Sequence, residues 1–458
     1  MRRLGLRAGK VAFHQGLGGS KRVNSLTGPG TSRNERFCTI CMLALAIAFA
    51  SSLSMGAAPA PKAAARVAKP IDMELPGKSN DIKGILRAGK IDPADQELFD
   101  NYFNNFLFEQ FTNPWPQLRA PHRYSLDDLP RLRKDLRNYL LLDKSGTAYV
   151  HLNDLVLTKC KDIAFGAPYP SHDAAIKVNA MLMMGELNEF DQSGKPKPWA
   201  KPFPYLLGTM TSPKSKDHLK AAAMVGIERY AAAGAVPADS AKKVIDALVA
   251  LINQADPPAG RDAEVHQFMR RNAGQILAHI GNPGPENSVV KALEKAAADP
   301  KMRPTLRCEM ALFIGQLKIP PATKIDLQKL ANAVGHEAVD VCKQELDSAK
   351  AANRPPSRRI LLLALLTAKE ALVGGDSKSG LTAATAGAPA QKFIGNLYGK
   401  VKAMQTECES SDTDTLVDAE VTEINAKLAD LESSLVAQAP AQAAPVAAAA
   451  AGKQAVKQ

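Results

Sequence analysis

Four twelve-residue segments of this chain align without gaps, and this recurrence limits the possible fold more than any other feature. Each segment opens with an apolar and then a basic residue, has Ala or Met at its fifth position, and is apolar at its ninth and twelfth. The starts are 43, 50 and 37 residues apart, close to the period of two-helix repeats. The segments are Ile176–Leu187, Leu219–Tyr230, Met269–Ile280 and Leu306–Leu317.

Helical spacing is clearest in the third segment. Met269 and Ala273 belong to an apolar stripe of an α-helix, and Gly281 ends that helix. The runs Ala241–Ile252 and Ser288–Ala298, which precede the third and fourth segments, have the same helical period. The pattern therefore predicts helices in pairs, with each aligned segment as the second helix of its pair.

The aligned segments resemble the second helices of HEAT repeats, which open with Asp, continue with an apolar–basic pair and place Ala shortly after. Asp173, Ile176–Lys177 and Ala180 follow that order, and the resemblance covers residues 171–320 and extends towards residue 370. It implies a stack of antiparallel helix pairs, each contacting its neighbours. It also implies ion pairs inside the stack for the basic residues at the second position, which are Lys177, Lys220, Arg270 and Arg307.

The sequence predicts an all-α fold: a short HEAT-like α-solenoid of antiparallel helix pairs with an N-terminal helical cap and a C-terminal helical hairpin. Apolar residues from Val417 to Leu435 recur in steps of four and three, a seam too short for a stable coiled coil. The expected regions are a flexible spacer at 57–81, an N-terminal helical region at 82–170, the repeats at 171–373, a linker at 374–390, the C-terminal helices at 391–437 and a disordered Ala/Pro/Gln tail at 438–458.

Residues 1–56 have the pattern of a signal peptide with a long basic leader, or of a membrane anchor. The apolar core Ile40–Ala50 is followed by small residues of the kind that signal peptidases accept. Residues 37–58 carry no charge, so without cleavage they would anchor the chain in a membrane. Either alternative predicts export to the periplasm or the extracellular space.

The positive charge is concentrated in this leader. Residues 1–56 contain eight Lys or Arg residues and one Glu, and so carry most of the net charge of +12. The charge left for the remainder of the chain is too dilute to attract a phosphate backbone. The sequence therefore predicts no nucleic-acid partner.

Four of the six cysteines follow the leader, and no two of them are close in sequence. In an oxidising compartment they would form up to two disulfides in one of three pairings. Buried free thiols on helical faces are the alternative, and the sequence leaves both open. These cysteines are Cys160, Cys308, Cys342 and Cys408.

The sequence contains no motif for catalysis or for cofactor binding. Gly375–Thr382 has the glycine spacing of a phosphate-binding loop, but Leu381 stands where that loop requires Lys, and a helical pattern precedes it. No two histidines have the spacing of metal ligands, and no Gly-x-Ser-x-Gly motif is present. The sequence therefore predicts no catalytic residue, no cofactor and no metal.

Two residues near the third segment are candidates for protein binding, Arg271 and His266. His266 and Arg270 stand four residues apart, so a helix places them on one face, where they would present positive charge to an acidic partner. Arg270 is expected to pair within the stack, which leaves Arg271 as the more exposed candidate. His279 is expected to be a helix-terminal histidine with satisfied hydrogen bonds.

These features favour an exported, non-catalytic scaffold that binds an unidentified protein partner on the surface of its helical repeats. The alternative is an envelope structural protein, held in the membrane by the leader and assembling through its C-terminal helices. A helical-repeat enzyme with a dispersed site ranks lowest, because no group of residues forms a catalytic pattern. A membrane partner is expected only if the leader stays uncleaved.

Overall fold

The protein is all-α, as the sequence predicts. The leader at 1–56 and the tail at 438–458 lie outside the residues that the structure describes. A computed structural model describes residues 66, 71–72, 74–112, 128–142, 146–169, 173–191, 193–320, 323–375, 378–384, 388–409 and 413–435.

Short helices around an aromatic core form the N-terminal region. Phe99, Tyr102 and Phe103 are buried, and the ring centroids of Phe99 and Phe103 are 5.0 Å apart. The hydroxyls of Tyr102 and Tyr139 are hydrogen-bonded at 2.6 Å, which satisfies the polar ends of two buried rings. The elements are α1 (Ser79–Ala88), α2 (Gln96–Asn101), a π-helical turn (Tyr102–Leu107), α3 (Phe108–Thr112) and α4 (Leu129–Leu140).

A stack of helix pairs follows, and the second helix of each pair packs against the second helix of the next. All four aligned segments begin in these second helices, which confirms that the sequence recurrence marks structurally equivalent helices. The pairs in the described residues are α5 (Thr147–Phe165) with α6 (Asp173–Glu186), α7 (Phe203–Thr211) with α8 (Asp217–Ala232), α9 (Ala238–Asn253) with α10 (Ala263–Ile280), α11 (Ser288–Ala297) with α12 (Pro304–Gly315), and α13 (Leu327–Ala351) with α14 (Arg358–Val373).

Glycines allow successive second helices to approach each other closely. A Cβ atom added to Gly185 of α6 would lie 2.7 Å from the Cα atom of Gly226 in α8. A Cβ atom on Gly315 of α12 would overlap the backbone of Ala371 in α14. These helices therefore pack backbone against backbone, a distance that only glycine permits.

The helix α14 belongs to this stack. Leu361 and Leu365 are fully buried, whereas Leu366 is partly exposed, so the helix has one solvent-facing side despite its apolar sequence. In the described ranges, no helix combines the length and the apolar character needed to cross a membrane.

The chain ends in the predicted helical hairpin. A short helix, α15 (Leu381–Ala384), leads into α16 (Ala388–Cys408), which packs on α14. The last helix, α17 (Asp418–Ser433), packs on both α16 and α13. Its buried residues follow the spacing read from the sequence and are Ile424, Leu428 and Leu431.

Two small antiparallel ribbons interrupt the helices. Strand β1 (Asn188–Phe190) pairs with β2 (Pro196–Pro198), with Asn188 opposite Pro198. Strand β3 (Gly374–Gly375) pairs with β4 (Lys378–Ser379). Neither ribbon was predicted, because strands of two or three residues are too short to show a period of two.

Three boundaries differ from those predicted. The stack begins at Thr147 rather than at residue 171, because α5 packs with α6 as a full pair. Residues 75–81, assigned to the spacer, form a 3-10 turn and the start of α1. The predicted linker at 374–390 contains β3, β4, α15 and the start of α16, and Leu381 is buried within it. Tertiary packing orders segments whose composition suggests a linker.

Arg270 joins one helix pair to the next. Its Nε atom donates to the carbonyl of Ile252, near the C-terminus of α9, at 3.1 Å. Its Nη1 atom donates to the carboxylate of Asp299, which follows α11, at 2.9 Å. The buried guanidinium therefore satisfies an otherwise unpaired carbonyl of a helix end and bridges two pairs. This is the structural role expected for the basic residue at the second position.

Arg307 repeats this arrangement one pair later. Its Nε atom donates to the carbonyl of Ala297, the last residue of α11, at 2.8 Å. Its Nη2 atom donates to Glu337 of α13 at 2.7 Å and lies 3.5 Å from Asp340. The acidic partner of Arg307 is thus a Glu within the first helix of the next pair, whereas that of Arg270 is an Asp that follows a first helix.

The lysines at the second position make more local contacts. Lys177 forms an ion pair with Asp173 within α6 at 3.2 Å. Lys220 interacts electrostatically with Asp217 at the start of α8, but the Asp217 carboxylate is held at 2.8 Å by Arg261, from the loop before α10. Arginine therefore makes the connection between pairs even where lysine occupies the second position.

Glu337 is expected to make the stability of the fold depend on pH. Burial raises the pKa of Glu337 to about 8, against the opposing effect of Arg307. The unfolded chain has an ordinary glutamate pKa near 4.3, so between about pH 4.3 and pH 8 the folded state binds more protons. The free energy of unfolding therefore falls as pH rises through this range. Glu337→Gln should flatten this part of the profile, measured by urea unfolding at a series of pH values.

Asp340→Asn is the matched control, because Asp340 also lies beside Arg307 but is largely exposed. It should leave the slope between pH 4.3 and pH 8 in place. An unchanged slope in Glu337→Gln would show that another group causes the pH dependence.

The four cysteines of the described chain are buried free thiols. Burial raises the pKa of the Cys408 thiol to about 11 and that of Cys308 to about 12. These thiols are protonated at neutral pH and are weak nucleophiles. Of the two alternatives that the sequence left open, the structure shows the unpaired one.

Candidate functional site

The second helices of the pairs lie side by side in a row. The helix α10 belongs to this row and carries a stripe of polar side chains. Its start is fixed by Asp262, whose carboxylate accepts from the backbone N–H groups of Glu264 and Val265. Its end is fixed by Gly281 in the left-handed conformation, with φ of 72°. Between these caps the helix places its polar residues four apart on one face. They are Gln267, Arg271, Gln275 and His279.

Hydrogen bonds extend this stripe to the neighbouring second helices. Gln275 donates to Glu228 of α8 at 2.6 Å, and His279 Nε2 lies 3.9 Å from the same carboxylate. Arg271 contacts Glu309 of α12 at 2.5 Å and also donates to Gln275. These five side chains form a continuous network across α8, α10 and α12. We call them the second-helix polar strip.

The second-helix polar strip is neither a buried network nor a fully solvated one. Its charged side chains are 14% to 26% exposed. At this depth charge-assisted hydrogen bonds are stronger than in water, and the groups stay within reach of a ligand. The strip contains two carboxylates, one guanidinium, one amide and one imidazole, and no hydroxyl or thiol nucleophile. Its chemistry suits hydrogen bonding to polar groups of a partner.

His266 is buried, so the prediction that it binds a protein partner at the surface is wrong. Its side chain is 1% exposed. Arg261 Nη1, which can only donate, is 3.1 Å from Nδ1, so Nε2 carries the proton and donates to the carbonyl of Gln254 at 2.7 Å. Burial lowers the pKa of His266, which keeps the ring neutral. The expected cationic patch of His266 and Arg270 is therefore absent, since both side chains are buried in the packing between helices.

Arg271 is the candidate that the structure places on an accessible face. Its side chain is 25% exposed, whereas that of the adjacent Arg270 is 3% exposed. The two arginines point in different directions because successive residues of a helix are about 100° apart. Arg271 lies at the centre of the second-helix polar strip, bonded to both α10 and α12.

Replacing Arg271 by alanine is expected to change stability little. A partly exposed ion pair contributes about 1 kcal/mol or less, because solvent screens it and ordering the side chains costs entropy. The free energy of unfolding, measured with urea, should therefore fall by about 1 kcal/mol at most. Lys243→Ala, at an exposed position of α9, is the reference for a surface substitution. A loss above about 2 kcal/mol would show that Arg271 supports the stack rather than a surface.

Glu228, Gln275 and Glu309 were not recognised from the sequence. The spacing of Arg271, Gln275 and His279 is visible within one segment, but the two glutamates are about forty residues away on either side. Only the lateral packing of equivalent helices brings them together.

Among the described residues, no group of three or more His, Cys, Asp or Glu side chains is arranged to hold a metal ion.

The chain matches no protein-family model, no curated protein and no solved structure.

Proposed function

We propose that the protein is a non-catalytic scaffold that binds another protein on its row of second helices. The observation that supports the proposal is the second-helix polar strip, a connected set of partly exposed charged and amide groups on the second helices of three successive pairs. A partner with an extended or helical segment would follow such a row, because its donors and acceptors recur at each helix. Arg271 is the central contact.

The arrangement favours binding over catalysis for a physical reason. Arg271 and the carboxylates already pair with one another, so they are preorganised and lose little side-chain entropy when a partner exchanges for one of these bonds. Catalysis needs a nucleophile or base aimed at a reacting atom, and the five strip residues supply polar groups that face each other. The strip therefore suits reversible recognition.

Site-specific photocrosslinking tests this proposal in the cells that make the protein. A photoreactive residue replaces Gln275 in the strip, and in a matched variant it replaces Lys243, an exposed position of the first-helix row. Light-dependent adducts with a second, defined protein are expected from position 275 and not from position 243. Arg271→Glu in the 275 variant should reduce the yield, because it reverses the central charge.

Three outcomes would contradict the proposal. Equal adducts from both positions would mean that the strip is not the binding surface. Adducts only with further copies of the same chain would favour the alternative, an envelope structural protein that assembles with itself. No adduct from either position would remove protein binding at this surface as the function.

The compartment is part of the proposal. The basic leader and the apolar core Ile40–Ala50 favour export to the periplasm or the extracellular space, either as a released protein or anchored through residues 37–58. N-terminal sequencing of the mature protein distinguishes these alternatives, because a start near Ala57 requires cleavage. An intact N-terminus on a soluble cytosolic protein would reject export.

A further inference from the structure

Three of the four buried cysteines lie on helices that pack against one another. Cys308 belongs to α12, Cys342 to α13 and Cys408 to the last position of α16, and each is at most 2% exposed. The helix α13 packs on both α12 and α16. The fourth, Cys160, lies on α5, the first helix of the stack. We call Cys308, Cys342 and Cys408 the three-thiol cluster.

Hydrogen bonds fix the position of Cys308 along α13. The preceding residue, Arg307, donates to Glu337 at 2.7 Å and lies 3.5 Å from Asp340. Both acids belong to α13, and Glu337 precedes Cys342 by five residues. Because a helix rises 1.5 Å per residue, Arg307 meets α13 within about 8 Å of Cys342 along the helix axis.

A second set of bonds places Cys408 near the same part of α13. The guanidinium of Arg358 donates to the carbonyl of Cys408 at 2.7 Å. The backbone N–H of the preceding residue, Ser357, donates to Glu345 at 2.6 Å. Glu345 follows Cys342 by three residues, less than one turn of α13. Cys342 therefore lies between the points at which α12 and the end of α16 are anchored to α13.

Cys342 is the member of the cluster that both of the other thiols approach. Burial raises the pKa of the Cys342 thiol well above its ordinary value, and the nearby thiols of Cys308 and then Cys408 add to the increase. Nearby ionisable groups of the same sign disfavour ionisation in this way. Cys308 is the stronger neighbour of the two, in agreement with its position beside the bonds from Arg307 to α13.

We propose that Cys308 and Cys342 are a dithiol that oxidation converts to a disulfide between α12 and α13. The disulfide joins the fourth helix pair to the fifth, where Arg307 and Glu337 already connect them. It restricts the separation of these pairs and so stabilises the C-terminal part of the stack. The site is separate from the second-helix polar strip and does not depend on the function proposed for that strip.

The oxidant is a small-molecule disulfide, such as oxidised glutathione. The thiolate of Cys342 attacks one of its sulfurs and releases one reduced glutathione, and the thiolate of Cys308 then attacks the Cys342 sulfur and releases the second. Two cysteines are oxidised, one glutathione disulfide is reduced, and the two thiol protons end on the released glutathiones. Because the buried thiols are protonated, the reaction takes place while the chain folds or while the stack is locally open.

Refolding of the full-length protein from urea in a glutathione redox buffer tests the proposal. Thiol exchange is reversible under these conditions, so the disulfide that the fold favours accumulates. Mass spectrometry of an unreduced digest should identify Cys308–Cys342 as the main crosslink among the four cysteines of the described chain. Linked peptides are mapped, rather than total mass, because the leader also carries Cys38 and Cys41.

Cys160→Ser is the matched control, because Cys160 is equally buried but lies outside the three-thiol cluster. It should leave the yield of the crosslink unchanged, whereas Cys308→Ser should remove the crosslink. Where a serine variant does not refold, the map of the wild type decides by itself. The oxidised wild type should also unfold at a higher urea concentration than the reduced protein, because the link constrains the unfolded chain.

Four results would each overturn the proposal. They are a main crosslink between Cys342 and Cys408, crosslinks that involve Cys160 as often as Cys342, glutathione adducts without a protein disulfide, and an oxidised protein that unfolds at a lower urea concentration than the reduced one.

Discussion

Replacing Arg358 by methionine is expected to destabilise the protein by about 3–5 kcal/mol and to loosen the C-terminal hairpin, because it removes one member of a buried charge network. The Arg358 side chain is 3% exposed. Its Nη1 atom donates to the carbonyl of Cys408 at 2.7 Å and its Nε atom to that of Thr413 at 2.8 Å. Its Nη2 atom holds both carboxylate oxygens of Glu420, at 2.8 and 2.7 Å.

These bonds connect the first residue of α14 to the end of α16 and the start of α17. Without the guanidinium, the carbonyls of the inter-helix loop lose their donor, and Glu420 loses the hydrogen bond that lowers its pKa. Urea unfolding measures the loss of stability. Hydrogen–deuterium exchange of Arg358→Met should be faster than that of the wild type in α16 and α17. The exchange of α8 and α10 should change less, because the substitution releases the hairpin.

Arg359 offers a matched control at the adjacent position. Its side chain is exposed, and Arg359→Met removes the same charge without touching the hairpin. The free energy of unfolding should change by about 0.5 kcal/mol at most. Similar losses in Arg358→Met and Arg359→Met would mean that net charge, and not the buried network, determines the effect.

Replacing Gly315 by alanine should cost about 3 kcal/mol, the upper end of the range for overpacking. The added Cβ atom would overlap the carbonyl oxygen, Cα and carbonyl carbon of Ala371. Backbone atoms cannot rotate away as a side chain does, so α12 and α14 must separate. The measurement is the midpoint of thermal or urea unfolding.

Gly399→Ala supplies the opposite expectation within the same fold. Gly399 lies inside α16 with no atom within 4 Å of an added Cβ. Alanine there reduces the conformational entropy of the unfolded chain and should stabilise the protein by about 0.5–1 kcal/mol. A gain in both variants would show that helix propensity, rather than the contact with Ala371, governs position 315.

The sequence predicted the fold to the level of equivalent helices. The apolar period identified the second helices α6, α8, α10 and α12, and the basic residue at the second position identified Arg270 and Arg307 as members of the packing. Both signals are local or recur along the chain, so they can be recognised from the sequence alone. The resemblance to HEAT repeats stays a prediction.

The candidate site was predictable only in part, and His266 shows why. The four-residue spacing predicts that His266 and Arg270 share a face of the helix. They do share it, but this face is buried between helices. Whether a polar residue is exposed depends on what packs against its helix. Arg261, which lines the His266 ring, also bonds Asp217 at the start of α8, a partner 44 residues away. The helical period of the sequence does not indicate such a contact between distant residues.

By itself, the sequence determined that the chain forms helices in stacked pairs, because the 3.6-residue period and the spacing between segments are properties of the chain alone. Tertiary structure alone decided that the stack starts at Thr147, that α12 and α14 meet through Gly315, and that Arg271 joins Glu309 and Gln275 on one surface. The reason is physical. Helix formation depends on neighbours within four residues, whereas burial and ion pairing depend on contacts between helices that the chain brings together from tens of residues apart.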